Sequence, residues 1–538
     1  MTPSSLRGRP RRTTSHISVR VVHGLLGGVV AVLWLVWPEL TASSSGDRPG
    51  VITPVGPARS AAAQEEVEET PTADLVLPLI VLGTAAVLAV YGYLRRTRRT
   101  RTRTTPGGLP SATPAAPAPL TELDERTQAL LVQADDCVRT SREELAFAEA
   151  ALGHEAMAPF ARAVREAEWE LSATFAMRQR YDDGVPSEAS ARRQALAGIV
   201  GRCTEAGRRL DAEAAGFDAV RGLERGIGAA LEVAEARFRE AAGRTSTAEA
   251  TLAELGRRYA STAAAPVVGF VEQAKDRLLF TTLHLNQARQ SADLGDPDRA
   301  AAHLRAAEGA VDQAAIFVTA VDRLAGEVST AGTLIPAALT GAEAEIAGAR
   351  ERAAEWAEMA EMAEGAVADI PLGELESRIM HADAVLTAVR ETLTAGPYDP
   401  LDTLRRIVRA VTPVAAGRAG VLPVAGELVA RSATAAAADF VATHRGVVGA
   451  EARTRLAAAQ RLMTEEALTA DTLARTALHL AEQDVRMHGT PVAGTAPHST
   501  GVGGALLGGI LLAEDSTPGV PASYGGPRTR ARRNFPLS

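Results

Sequence analysis

The feature that most constrains this chain is Leu75 to Leu94 (LVLPLIVLGTAAVLAVYGYL), twenty uncharged residues that run straight into RRTRRTRTR. At about 1.5 Å of rise per residue, such a run covers roughly the 30 Å of a bilayer's hydrocarbon core. Tyr91 and Tyr93 stand where an interfacial aromatic belt belongs. Arg95, Arg96, Arg98, Arg99, Arg101 and Arg103 then hold that end on the cytoplasmic side. A buried helix of a soluble protein seldom ends in such a cluster. The sequence therefore predicts a transmembrane helix at 75–94.

A second apolar run, Val21 to Trp37 (VVHGLLGGVVAVLWLVW), follows a basic arm at residues 1–20. It reads as a membrane helix or a signal sequence. The best small-residue site, Ala61-Ala62-Ala63 before Gln64, lies far beyond its end, which favours a retained helix. Both readings give one topology: arm inside, a short extracytoplasmic loop at 38–73 outside, everything after 95 inside. That places the protein in a bacterial plasma membrane with the bulk of the chain cytoplasmic. Residues 95–119 form a basic, Pro-rich linker, and five prolines in TTPGGLPSATPAAPAP make an extended spacer.

Charge is segregated. Residues 1–20 carry five arginines, 95–103 six and 528–533 four; removing those fifteen from a net charge of −8 leaves −23. An acidic body argues against nucleic acid as a partner. The basic clusters suit anionic headgroups, at about 1 kcal/mol per residue near the surface. On that ground Arg95, Arg96, Arg98, Arg99, Arg528, Arg530, Arg532 and Arg533 are the candidate lipid contacts. For Arg95 to Arg103, topology determination alone is the favoured reading; for Arg528 to Arg533, where nothing needs a topology signal, the two readings are nearer even. The only lysine is Lys275, which together with the alanine load suggests a GC-rich bacterial genome.

Hydrophobic residues make up 46% of the chain but aromatics only 4%, so the apolar content is mostly Ala, Leu and Val, which favours helix. From 120 to 486 the periodicity is helical almost throughout. Leu131, Val138, Leu145 and Leu152 recur at steps of seven, with Ala134, Ser141 and Ala148 as the second stripe. Leu196, Ile199, Cys203, Ala206 and Leu210 alternate at three and four. Val267, Val271, Ala274, Leu278, Thr281, Leu285, Ala288 and Ala292 keep the same rhythm. These are heptad seams with small core residues. The expected fold class is all-α: two N-terminal membrane helices followed by an elongated coiled-coil or antiparallel helical cytoplasmic region. Breaks are expected at Pro159, Pro186, Pro266, Pro297, Pro336, Pro371, the Pro397–Pro400 pair, Pro413 and Pro423. Asp296 as N-cap with Pro297 at the first helical position predicts a hairpin of 267–292 and 297–327. Residues 487–538 read as a Gly-rich, basic, disordered tail, whose apolar stretch Val502–Leu512 is too short to span a bilayer.

No phosphate-binding Gly-Lys-Ser/Thr loop, His-Glu-x-x-His, paired-cysteine motif or nucleophile elbow occurs. Cys137 and Cys203 sit on seams and read as buried apolar thiols. Asp135-Asp136 reads as a solvated helix face, Asp182-Asp183 as a helix terminus, and Asp293, Asp296 and Asp298 as turn and cap. His154, His284, His303, His381, His444 and His479 show no ligand spacing, and Trp169 and Trp356 read as packing anchors. No cofactor or metal is expected.

Several stretches resemble the cytoplasmic region of a family of bacterial TPM-domain-containing membrane proteins. They are LDERTQALLVQADDCVRTSREELAFA (123–148), RRQALAGIVGRCTEAGRRLDAE (192–213), VEQAKDRLLF (271–280), AAAHLRAAEGAVDQAA (300–315), and the ending GGALLGGILL with PASYGGPRTRARR. The resemblance implies a signal sequence, an extracytoplasmic TPM domain, one membrane helix and a long helical cytoplasmic region. The space between Trp37 and Asp74 is too short for an α/β TPM domain, so the phosphatase activity proposed for some such domains has no residues here to carry it. The expectation is a non-enzymatic, membrane-anchored helical scaffold or interaction module. Its partners would be the lipid bilayer, another copy through the helical seams, or a cytoplasmic protein. The alternatives are a membrane-stress or lipid-sensing module and, behind it, a hydrolase related to TPM phosphatases.

Overall fold

The computed structural model describes residues 119–362, 372–488 and 523–534. The arm, both apolar runs, the loop between them and the linker up to residue 118 lie outside these, as do Arg95, Arg96, Arg98 and Arg99. Every regular element among the described residues is helical: α1 (Leu120–Leu152), α2 (His154–Asp182), α3 (Ala189–Arg221), α4 (Gly228–Arg258), α5 (Phe270–Asp293), α6 (Pro297–Met362), α7 (Leu372–Ala395), α8 (Pro400–Val411), α9 (Val421–Thr443), α10 (Ala450–Leu462), α11 (Ala467–His488) and α12 (Pro527–Asn534). The connection from α4 to α5 holds one helical turn and a 3-10 turn. None of these helices is long and apolar enough to cross a membrane.

The seams fold as their spacing requires. Leu131, Val138 and Leu145 are buried with Ala134, Ser141 and Ala148, and so are Leu196, Ile199, Cys203, Ala206 and Leu210. Leu152 is 39% exposed, because α1 stops at Gly153 before the stripe meets a neighbour. The hairpin forms at the expected place: α5 ends at Asp293, and the Asp296 carboxylate accepts the Arg299 N–H at 3.1 Å to cap α6. Ala292, at the end of its stripe, is exposed.

Three expectations are corrected. Pro336 does not end a helix but sits in the interior of α6, which runs for 66 residues. Pro159 likewise lies inside α2, and the break falls at Gly153 instead. A proline costs a helix its own N–H bond and crowds the carbonyl four residues earlier. At 336 the ring faces solvent, while Ile335 and Ala338 beside it are buried, so packing holds the helix together across the defect. Trp169, expected as an anchor, is 65% exposed, with the Arg202 guanidinium 5.8 Å from its ring centre. Trp356 does pack, half-buried, against the large core along α6.

The helices make four joined cores. Helices α1, α2 and α3 form a bundle around Leu131, Phe160, Leu171, Leu196 and Phe217. The first part of α6 packs on α4 and α5 around Leu304, Leu285 and Leu223. The largest core follows α6 onward, through Phe270, Phe317, Val321 and Ile335, to α7, α8 and α9. The last closes α9, α10 and α11 around Val441 and Leu456. Alanine fills much of every interface. It permits close approach but removes little apolar area from water per residue. Aromatic rings add larger burial where they occur, as where Phe270 meets Phe317 edge-on at 5.0 Å. Because Pro336 is a defect on the solvent side, Pro336→Ala is expected to stabilise the protein by up to about 3 kcal/mol, read as a higher midpoint in urea-induced unfolding followed by circular dichroism.

Candidate functional site

The most elaborated polar arrangement among the described residues lies where α1, α3 and α6 meet. Glu144 (α1) and Glu308 (α6) flank Arg221 (α3), whose side chain is 2% exposed. Arg221 Nη1 reaches Glu144 Oε1 at 2.7 Å, and its Nη2 donates to Glu308 Oε1 at 2.6 Å. Arg305, one turn before Glu308 on α6, donates from Nε to Glu144 Oε1 at 2.8 Å and stands 3.6 Å from Asp218 of α3. Burial raises the Glu308 carboxyl against the pull of Arg221, while Glu308 and Glu144 together outweigh the burial of Arg221 and raise its pKa. Such a set is costly to desolvate, and removing one member leaves an uncompensated buried charge, typically a loss of 3–5 kcal/mol.

A second set joins α1 to α10. Arg453 of α10 is 1% exposed and bridges Asp135 at 2.6 Å and Asp136 at 2.7 Å, and donates to the Val448 and Arg445 carbonyls. Arg445 holds Glu143 at 2.7 Å. The reading of Asp135-Asp136 as a solvated face is therefore corrected. Asp135 is 2% exposed, and its partner lies 318 residues along the chain. Near this set, burial and then the neighbouring Glu143 push Asp312 up to about 6.

The C-terminal segment closes over the first set. The sequence reading gives a disordered tail, yet Ser523–Gly526 are buried and α12 packs on α3 and α1. Tyr524 is fully buried. Its ring stacks on Phe217 with centres 4.3 Å apart and meets Phe160 edge-on at 6.1 Å. Its N–H donates to Glu144 Oε2 at 2.8 Å and its hydroxyl to the Phe160 carbonyl at 3.1 Å, and burial pushes the phenol's pKa upward. Gly525 donates to Ser141 Oγ at 3.1 Å. A Cβ on Gly526 would stand 2.1 Å from the Gly207 carbonyl oxygen, so only glycine lets the backbones come this close. A Cβ on Gly207 would in turn strike the Pro527 ring at 2.6 Å. Asp211 of α3 caps the start of α12, accepting the Thr529 N–H at 3.0 Å, the Thr529 hydroxyl at 2.7 Å and the Arg528 N–H at 3.3 Å.

Of the lipid-contact candidates within the described residues, Arg530 spends an N–H on the Asp136 carbonyl at 2.9 Å, while the Arg528 and Arg532 side chains are exposed. Arg533 lies on α12, its side chain outside the described set. Sequence reasoning missed Glu144, Arg221, Glu308, Tyr524 and Asp211. Charged residues on apolar stripes were a usable signal for Glu144 and Glu308. Tyr524, an aromatic residue set in a run of small and basic ones, was another.

Other groups fall into place as structure. Cys137 and Cys203 are buried, and burial pushes their thiols up to about 11 and about 12. His284 and His303, distant in sequence, meet Nδ1 to Nδ1 at 3.1 Å across the α5–α6 hairpin. Burial, then the neighbouring His303, lowers His284 to about 4. No cluster of three or more His, Cys, Asp or Glu side chains suited to a metal occurs among the described residues. A cavity of about 450 Å³ opens between the α4–α5 connection, α6, α8, α9 and α11. Several of its charges are already paired, Arg323 with Asp439 at 2.5 Å and Arg405 with the buried Asp471 at 3.1 Å.

Among the described residues the chain is an all-helical body whose own C-terminal segment lies in a groove between α1 and α3. The chain is similar to two proteins of Mycobacterium tuberculosis. They are UPF0603 protein Rv2345 of strain H37Rv and UPF0603 protein MT2410 of strain CDC 1551, each 29% identical over 446 residues. The similarity covers 76% of this chain and 66% of each relative, just under two thirds of their length. No protein-family model matches the chain, and no solved structure does.

The titrations oppose each other. Asp312 has a folded pKa above its ordinary 3.8, so the folded state holds the extra proton between about 4 and 6 and stability from this group falls as pH rises through that window. His284 is depressed, so its contribution is complete above about 6.5 and lost as pH falls toward 4. Asp312→Asn is thus expected to stabilise at pH 8, by on the order of 2 kcal/mol, and to change little at pH 4, measured as urea midpoints at both pH values. A double replacement of His284 and His303 by Gln should instead flatten the loss of stability between pH 6.5 and 4.

Proposed function

We propose that this protein is a membrane-anchored helical scaffold, a protein-interaction module that holds its helical body at the cytoplasmic face of the membrane. The observation that carries the reading is the groove between α1 and α3, where a short peptide is held by ring stacking, backbone hydrogen bonds and a helix cap. These are the elements by which peptide-recognition sites work: main-chain bonds for affinity and a pocketed aromatic for specificity. The anchor in this reading is Leu75–Leu94 with Arg95, Arg96, Arg98 and Arg99 behind it. Four of the stretches that resemble TPM-domain-containing membrane proteins, 123–148, 192–213, 300–315 and the described part of the PASYGGPRTRARR ending, meet around this groove and its charge set. That convergence supports a shared use for the helical region.

A lipid-sensing reading has one observation in its favour: the exposed side chains of Arg528 and Arg532 on α12, suited to anionic headgroups. It would make the same segment a contact for the inner leaflet.

Two measurements test the scaffold. Full-length protein is expected to stay with the membrane fraction through an alkaline carbonate wash, while a chain lacking residues 1–94 is expected to be released. Photo-crosslinking in cells, with probes on the exposed faces of α5 and α6, is expected to recover a discrete cytoplasmic partner or a second copy from several probe positions. Release of the full-length chain by carbonate would sink the anchored reading. Probes that capture neither kind of partner would sink the scaffold.

A further inference from the structure

We propose that the α1–α3 groove is an exchange site, in which the C-terminal segment of one copy seats in the groove of a second copy. The inference specifies how the scaffold would link its copies and rests on that reading.

The segment is short, continuous and separable. What fixes it is Tyr524 between Phe217 and Phe160, the amides of 524 and 525 on Glu144 and Ser141, the Gly526–Gly207 approach, and the Asp211 cap. All of these partners lie on α1, α2 and α3, a bundle with its own core. None lies on α11, the element that precedes the segment in the chain. Thirty-four residues, 489–522, join His488 to Ser523. Fully extended, that length reaches on the order of 110 Å. A segment that leaves its own groove for a neighbour's recovers every contact it gave up, because the two grooves are identical. The balance between closed single copies and exchanged pairs is then set by the effective concentration that the connection imposes. Exchange of an identical element is a low-cost route to dimers for this reason. Crowding of copies on a membrane raises the intermolecular side of that balance.

Two point variants separate the halves of the contact. Gly207→Leu fills the seat of the Pro527 ring; the three nearest atoms that a Cβ there would meet all belong to Pro527, so the clash falls on the segment and the chain keeps a released tail. Tyr524→Ala removes the anchor and leaves an open, intact groove. Full-length chains of each kind, purified in mild detergent and confirmed helical by circular dichroism, are measured alone and mixed by light scattering coupled to size exclusion. Each alone is expected to run as a single copy, and the 1:1 mixture as a pair containing one of each. The wild type is expected to form pairs only at high concentration, with at least ten-fold weaker association than the mixture.

A labelled peptide of residues 519–538 serves as the control, read by fluorescence anisotropy. It should bind the Tyr524→Ala chain and bind the Gly207→Leu chain at least ten-fold more weakly. Peptide binding without pairing in the mixture would overturn exchange while leaving the groove a peptide site. No peptide binding to a well-folded Tyr524→Ala chain would overturn the groove itself. Neither outcome bears on the carbonate wash, so failure here is distinguishable from failure of the anchored scaffold.

Discussion

The Glu144 carboxylate is the interaction on which the rest of this helical body turns. One oxygen takes Arg221 of α3 and Arg305 of α6; the other takes the backbone N–H of Tyr524. Three elements far apart in the chain are fixed to one side chain of α1. The alanine seams around it allow many near-equivalent packings, because small residues interlock weakly. A buried carboxylate with three donors does not, since any slip of register strands a charge in a dry interior. Packing supplies the bulk of the stability, and the charge set chooses among arrangements that packing alone leaves close in energy.

Arg453 does the same work near the middle of α1. It is enclosed, yet it satisfies Asp135, Asp136 and two backbone carbonyls. Its presence fastens α10 to the N-terminal bundle, so the beginning and the end of the helical region form one body.

Much of the fold was legible in the sequence, for a reason that also marks where legibility stops. Heptad spacing is local, so Leu131, Ile199 and Leu278 could be assigned to a core from their neighbours alone, and Asp296-Pro297 announced the start of α6 within three residues. Long-range contacts leave no such trace. Asp135 looks like half of an ordinary surface pair until α10 arrives, and His284 and His303 look scattered until the hairpin folds. Pro336 was misleading because helix breaking is a local penalty that tertiary packing on the opposite face outweighs. The candidate site was hidden by its own requirements. Gly526 is needed for backbone contact and Pro527 for the first turn of α12, and in a sequence both read as the signature of a tail without structure.

The length of α6 has a mechanical consequence. Sixty-six residues at 1.5 Å of rise make a rod about 99 Å long. Its opening turns sit with α5 and carry Arg305 and Glu308, while its later turns sit with α7, α8 and α9. A continuous helix resists compression and stretches little along its axis, so its opening and its later turns keep a fixed separation. One element thus sets the spacing between the core around Leu304 and the core around Ile335.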